Sequence, residues 1–237
     1  MTWAVGILPP AICASQNRRG RPGACPAATH YTRVAPTWHN MISALVLAAG
    51  LARRMGTNKL LLPLGERTVL GQVVATLQGC PLDEIIVVTG HEREKVEQSA
   101  SRHAARRGGL RFVYNPQYAA GDMLSSIQAG LAAMRGDCDA ALIVLGDQPQ
   151  IERRVVEQVI AAYQPGAILI PSFNRRGGHP ILIDRARWAE VLALPLGANL
   201  RQALRAHAGW VRYVEVDTET ILRDLDTPED YRQMVGE

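Results

Sequence analysis

The sequence predicts a three-layer α/β fold around a mostly parallel sheet, and two observations carry that prediction. Short runs of residues that are apolar on both faces recur along the chain from Met41 onward. Helix-length stretches with apolar residues at helical spacing separate them. A strand that is apolar on both faces belongs in a sheet covered on two sides, and strands alternating with helices give parallel pairing through crossover helices. With 237 residues and 47% apolar content, the chain can bury a real core in one large domain or two small ones.

The elements follow in order. Residues 44–47 form the first strand, and 69–77 repeat apolar residues at helical spacing. Residues 85–88 and the shorter run 111–113 read as further strands. Ile127, Leu131 and Met134 share one helix face, ahead of a strand at 140–145 and a helix at 152–163. A strand at 167–170 and a helix at 199–207 come next. Two late stretches, "GGHPILID" and "VRYVEVD", read as antiparallel or edge strands and predict a small antiparallel lobe against one side. Thr227, Pro228 and Asp230 supply a helix start with a capping-box pattern.

Residues 1–40 differ in character. They are rich in Pro, Ala, Arg and Gly, and no strand or helix period survives in them for more than a few residues. The expectation is a disordered arm, or sequence upstream of a natural start at Met41, with one domain over 41–237. A signal peptide fits poorly, because the positive charges follow the apolar part and prolines interrupt it. These residues also carry the whole formal charge of +4, through Arg18, Arg19, Arg21 and Arg33 with no acid. Beyond them 22 basic residues balance 22 acidic ones, so the basic pI is not a nucleic-acid signal. No apolar run is long enough to cross a bilayer. The four cysteines are scattered without metal spacing, which points to a reducing, cytoplasmic setting.

In parallel sheets ligands bind at the carboxyl ends of the strands, so the segments after the strands matter most. After the first comes "AAGLARRMGTNK", which is neither a dinucleotide fingerprint nor a P-loop. Ala48, Ala49 and Gly50 let backbone N–H groups approach a ligand, and Arg54 and Lys59 add cations suited to phosphate. Taken alone, the loop fits an anion site or a solvated turn equally. The strand at 140–145 runs into "GDQP". Asp147 there is either the cap of the next helix or a carboxylate for Mg2+. In "ILRDLDTPEDY", capping accounts for Thr227 and Asp230 and leaves Asp224 and Asp226, two apart and on one face of a strand, unexplained.

The stretches "LAAGLARRMGTNKLLLPLG", "YNPQYAAGDMLSSIQAGL", "LGDQP", "RRGGHPILI" and "ILRDLDTPEDY", in this order, resemble the MobA-like nucleotidyltransferases, and among them the molybdenum cofactor cytidylyltransferase branch. The resemblance runs from Ile42 to about Met234. It implies a nucleotide-diphospho-sugar transferase (Rossmann-like) fold and transfer of CMP from CTP, with Mg2+, to the terminal phosphate of the molybdopterin cofactor. By the same resemblance Leu47, Ala48, Ala49, Gly50, Arg54, Gly56 and Lys59 form the nucleotide loop, joined by Asn115, Ser125 and Ser126. Gly178, His179 and Pro180 lie near the acceptor, and Asp147 with Asp226, and then Asp224, holds the metal. Arg54, Lys59 and Asp147 carry the catalytic role.

The chain has Ala52 where the family has Ser. Relatives using GTP tend to have glycine at the position of Ala49, so CTP is expected over GTP. Two other readings remain at this level. One is a nucleotidyltransferase for a sugar-1-phosphate or another small phosphate. The other is a non-catalytic carrier delivering the cofactor to a molybdenum hydroxylase.

Overall fold

The computed structural model describes residues 40–51, 56–102, 109–119, 123–195, 197–198, 200, 204 and 207–236. Among them the order of elements begins β1 (Ile42–Ala48), β2 (Pro63–Leu64), β3 (Arg67–Thr68), α1 (Val69–Gln78), β4 (Glu84–Thr89), α2 (Arg93–Ser101) and β5 (Gly109–Tyr114). It continues α3 (Met123–Ala132), β6 (Ala140–Leu145), α4 (Arg153–Ala161), β7 (Ile168–Phe173), β8 (Arg176–Gly177) and β9 (Ile181–Asp184). The last elements are α5 (Trp188–Leu192), β10 (Val211–Glu215) and α6 (Pro228–Val235).

Eight of the described strands build the main sheet, in the order β10-β7-β9-β6-β1-β4-β5 with β8 paired to β7, and β2 and β3 pair only with each other. Pairings β6–β1, β1–β4, β4–β5 and β7–β10 are parallel, and β9 alone in that order runs antiparallel, between β6 and β7. β1 and β6 are the most apolar runs and lie at the centre, as the expected two-sided cover requires. Alternate residues of β1 feed different cores. Ile42, Ala44, Val46 and Ala48 pack with α1, α2 and α4, whereas Leu45 packs with α3 and α5. Buried Leu70, Val73, Val74 and Leu77 are the helical stripe of α1, whose start Thr68 caps by accepting from Gly71 N. At the amino edge of the sheet, Met41 N donates to Asp139 Oδ2 at 2.9 Å and Ile42 N to Asp83 Oδ2 at 2.8 Å.

The three-layer, mostly parallel prediction holds. "GGHPILID" and "VRYVEVD" do give an antiparallel and an edge strand, β9 and β10, but both join the main sheet and no separate lobe forms from them. The small antiparallel piece is the β2–β3 ribbon, made by residues 63–68 around Gly65 at φ 59°. Helix α2 was not expected, because its face is mostly charged and only Val96, Ser99 and Ala100 are buried. Of the helix expected at 199–207, residues 199, 201–203, 205 and 206 lie outside the described residues.

Candidate active site

The parallel strands end on one edge of the sheet, and the predicted site residues follow those ends. β1 runs into Ala49 and Gly50, β6 into Gly146 and Asp147, and β5 into Asn115. The ends are locked together by backbone. Gly146 N donates to Leu47 O at 3.0 Å, and a Cβ on Gly146 would sit 2.8 Å from that oxygen, so only glycine allows the approach. Because β9 is antiparallel, its start and the preceding Gly178, His179 and Pro180 reach the same edge.

Lys59 is positioned by its neighbours. Buried Asn58 caps the short 3-10 helix Lys59–Leu61 by accepting from Leu60 N at 3.2 Å, and Leu60 is anchored in the core. The Lys59 side chain is mostly buried, with 16% of its surface exposed, and its ammonium lies between two carboxylates. Nζ is 2.5 Å from Asp147 Oδ2 and donates to Asp226 Oδ1 at 2.9 Å. Burial opposes its charge, but the carboxylates of Asp147 and Asp226 outweigh that and hold the amine above its ordinary value. Two carboxylates this close repel by about 1–3 kcal/mol at an effective dielectric near 20, Asp226 being almost half exposed. The ammonium removes that repulsion.

Asp147 is therefore not a helix cap. The next helix starts six residues later and follows Glu152. Asp224 and Asp226 are not on a strand either. Residues 223–226 form an extended segment between the 3-10 helix Glu219–Leu222 and α6. It pairs with no strand because its anchor is Leu225, whose side chain is fully buried and whose N–H donates to Asp147 O at 3.1 Å. The Asp-Leu-Asp alternation still turns both carboxylates the same way. Asp224 accepts from Gln148 Nε2 at 2.7 Å. Desolvation, then the charges of Asp147 and Asp226, raise the Asp224 carboxyl above its usual range, against the pull of Gln148. The capping box of α6 is as expected: Asp230 N donates to Thr227 Oγ1, and Asp230 Oδ2 accepts from Thr227 N and Asp226 N.

Other predicted residues divide into two groups. Asn115 is buried and donates through Nδ2 to Ser125 Oγ at 3.0 Å and Ser126 Oγ at 3.1 Å, tying the end of β5 to the first turn of α3. These three are together, but this bond faces inward. Gly178 and His179 are pinned to the segment that leads to Asp224: His179 N donates to Ile221 O at 3.0 Å, and a Cβ on Gly178 would fall 2.1 Å from that oxygen. Among the described residues, an added Cβ on Gly50 or Gly56 meets nothing within 4 Å. Arg54 falls at 52–55, outside the described residues.

Gln148 and Asn58 were missed from sequence. The "TNK" turn pattern could have revealed Asn58; nothing local marks Gln148. Among the described residues no three His, Cys, Asp or Glu side chains are grouped to hold a metal. Mg2+ commonly takes only one or two carboxylates, with phosphate oxygens and waters, so the fit rests on Asp147 and Asp226. The Lys59 ammonium between them shows that the pair accepts a cation. A separate cleft of about 460 Å3, lined by Arg67, Thr68, Lys95 and Ser99 among others, shares none of these residues.

The family model described as the MobA-like NTP transferase domain matches residues 44–211, well over half of the chain. The chain belongs to the MobA-like NTP transferase family. It is a nucleotidyltransferase. The molybdenum cofactor cytidylyltransferase of Escherichia coli K12 is 31% identical over 191 residues, covering 80% of this chain and 93% of that protein. Two solved structures agree in fold. A nucleotidyl transferase from Methanothermobacter thermautotrophicus is 28% identical with a TM-score of 0.70, covering 83% of this chain and 97% of that one. The Rv0371c protein of Mycobacterium tuberculosis H37Rv, solved in complex with manganese, is 25% identical with a TM-score of 0.68, covering 84% and 100%. The MobA-like match ends at β10, so Asp224 and Asp226 lie beyond it.

Proposed function

We propose that this protein transfers CMP from CTP to the terminal phosphate of the molybdopterin cofactor and releases pyrophosphate. The observation that supports this best is the meeting of Lys59, Asp147 and Asp226 at the carboxyl edge of the sheet, where the neighbouring strand β1 runs into Ala49 and Gly50. The 31% identity to a cytidylyltransferase of this cofactor directs the choice of acceptor.

The chemistry follows from charge. A phosphate monoester is largely dianionic near pH 7, its second pKa being about 6. An acceptor oxygen therefore needs no general base to attack the α-phosphorus of CTP. The new O–P bond forms as the bond to the β-phosphate oxygen breaks, and pyrophosphate leaves with the electron pair. The protein must align two anions that repel each other and balance the charge of the leaving group. Lys59 supplies one positive charge, and Arg54 in the same loop a second. Asp147 and Asp226 would hold Mg2+, which when bound neutralises phosphate charge. Gly178, His179 and Pro180 border the acceptor, while Asn115, through Ser125 and Ser126, fixes α3 beside the nucleotide.

The test is incubation of the purified protein with each NTP, Mg2+ and either the molybdopterin cofactor or a panel of sugar-1-phosphates, with pyrophosphate measured. Release with CTP and the cofactor is expected. Release only with a sugar-1-phosphate would overturn the choice of acceptor, and release with nothing would favour a carrier.

A further inference from the structure

The stretch "RRGGHPILI" enters the site only through Gly178, His179 and Pro180, and its two arginines are left over. They lie on a tight hairpin. Ser172 pairs with Gly177 and Phe173 with Arg176, so β7 turns into β8 through Asn174 and Arg175 alone. Both turn residues have positive φ, 50° and 63°, as in a two-residue hairpin whose second position favours glycine. Two glycines follow directly after Arg176, yet the left-handed position is given to an arginine, where its Cβ is strained. A residue that served only to turn the chain in water would not need to be arginine, and strain of this kind gathers at functional sites. The two side chains are also unengaged. Among the described residues the other arginines, Arg102 excepted, hold a hydrogen bond or ion pair with their guanidinium, whereas Arg175 and Arg176 are exposed and make none.

The hairpin sits at the candidate site. β9 runs antiparallel to both β6 and β7, so β7 is parallel to β6 and its hairpin projects from the edge that carries Asp147. Only β9 lies between those two strands, which sets them about 10 Å apart at the usual strand spacing. The base of the hairpin is fixed, because Gly178 N donates to Pro171 O at 2.9 Å and His179 N to Ile221 O at 3.0 Å, just before the segment bearing Asp224 and Asp226.

We propose that the β7–β8 hairpin grips the phosphate of the acceptor, through Arg175 first and Arg176 beside it. This rests on the reading of the protein as a nucleotidyltransferase for a phosphate monoester. Such an acceptor brings nearly two negative charges up to a second polyanion. Gly178, His179 and Pro180 bring no guanidinium or ammonium to meet them, and Lys59 is outnumbered by Asp147, Asp224 and Asp226. The acceptor therefore needs cations of its own, separate from those of the nucleotide loop. A guanidinium fork matches the phosphate oxygens and keeps its charge at every working pH. The fixed base lets the hairpin hold the acceptor in one position relative to Asp147, which is what attack on the α-phosphorus requires.

The test uses the full chain and pyrophosphate release with CTP and the molybdopterin cofactor. Arg175→Gly removes the cation and relieves the backbone, so its melting temperature should hold or rise while its KM for the acceptor rises about tenfold or more. Its KM for CTP should stay that of the wild type. Arg176→Gln should raise the acceptor KM in the same direction, and Arg175→Lys should recover part of the loss, keeping the charge without the fork. In Arg175→Gly the acceptor kcat/KM should also fall less steeply with salt than in the wild type, a change that a purely structural role would not produce. An unchanged acceptor KM in both Arg175→Gly and Arg176→Gln overturns the proposal. So does an equal rise in the KM for CTP, which would assign the hairpin to the nucleotide. If the wild type works only on a sugar-1-phosphate, the choice of molybdopterin fails and the same comparison on that ester decides the hairpin. If the wild type releases pyrophosphate with no acceptor, the transferase reading fails and equilibrium dialysis of the molybdopterin cofactor decides: about tenfold weaker binding by Arg175→Gly bears out the phosphate grip, and equal binding overturns it.

Discussion

Because Asp147 pairs with Lys59 and caps no helix, its loss separates catalysis from stability. Asp147→Asn is expected to lower kcat by about 100-fold or more, through loss of charge alignment at the phosphates. The melting temperature should move by only a few degrees, since one partially buried pair is lost while repulsion from Asp224 and Asp226 is relieved. Asp226→Asn should act in the same direction and more mildly, its carboxylate being more exposed. An active but strongly destabilised Asp147→Asn would contradict both expectations. Ala49 is buried beside the end of β4, its carbonyl accepting from His91 N. Ala49→Gly tests the expected preference for CTP: a shift of the kcat/KM ratio toward GTP, by about 10–200-fold at most, would bear it out, and no shift would show that this methyl serves only the core cluster it shares with Leu45 and Val88. At the residue scale the Thr227 cap was legible from local pattern, and chemistry singled out Lys59 and Asp147 as candidates, which the structure brings together. Gln148 was not, because its partner Asp224 lies 76 residues away.

Elements carry the site through their ends, and Gly178 is the most sensitive junction. Gly178→Ala would drive a methyl into the Ile221 carbonyl, and this overlap is with backbone that cannot rotate away. A loss of about 1–3 kcal/mol in denaturant unfolding is expected, with kcat falling because the segment bearing Asp224 and Asp226 is displaced. Unchanged stability would show that the loop yields freely. At the end of α1, Cys80 Sγ donates to Thr76 O at 3.3 Å. Burial first, then the charge of Glu157, pushes its thiol up to about 11, against the influence of Arg153. A raised pKa means that the folded state keeps the proton longer, so the stability it contributes is whole below pH 9 and is lost as pH rises toward 11. Alkylation of Cys80, mapped by peptide mass spectrometry, should accelerate about tenfold per pH unit between pH 8 and 10; a plateau by pH 9 would refute this. Element types were readable from periodicity, while the 223–226 segment was mistaken for a strand because alternation is common to strands and to any extended chain with one buried anchor.

For the whole molecule, the two-sided apolar runs announced the layered sheet, and the segments after the strands pointed to the edge where the candidate site residues gather. The place of β9 was not legible: four residues, Ile181–Asp184, slot between β6 and β7 through pairings that no local pattern encodes. The sheet opens at Ile42, and Met41 N already donates to Asp139. A chain beginning at Met41 would place its terminal ammonium at that donor position. It is therefore expected to retain both melting temperature and turnover, as calorimetry and the pyrophosphate assay would show; a large loss of either would mean that residues 1–40 contribute to the domain.

The bond between Lys59 and Asp226 spans 167 residues of sequence. At about 5–20 residues per second of synthesis, Asp226 leaves the ribosome roughly 8–33 seconds after Lys59. Through that interval the nascent protein has its central strands and its first cation but only one of the two carboxylates that Lys59 joins. The pairing of Lys59 with Asp226 is thus made only after the central strands have been synthesised, and until then Lys59 has Asp147 alone of its two carboxylates.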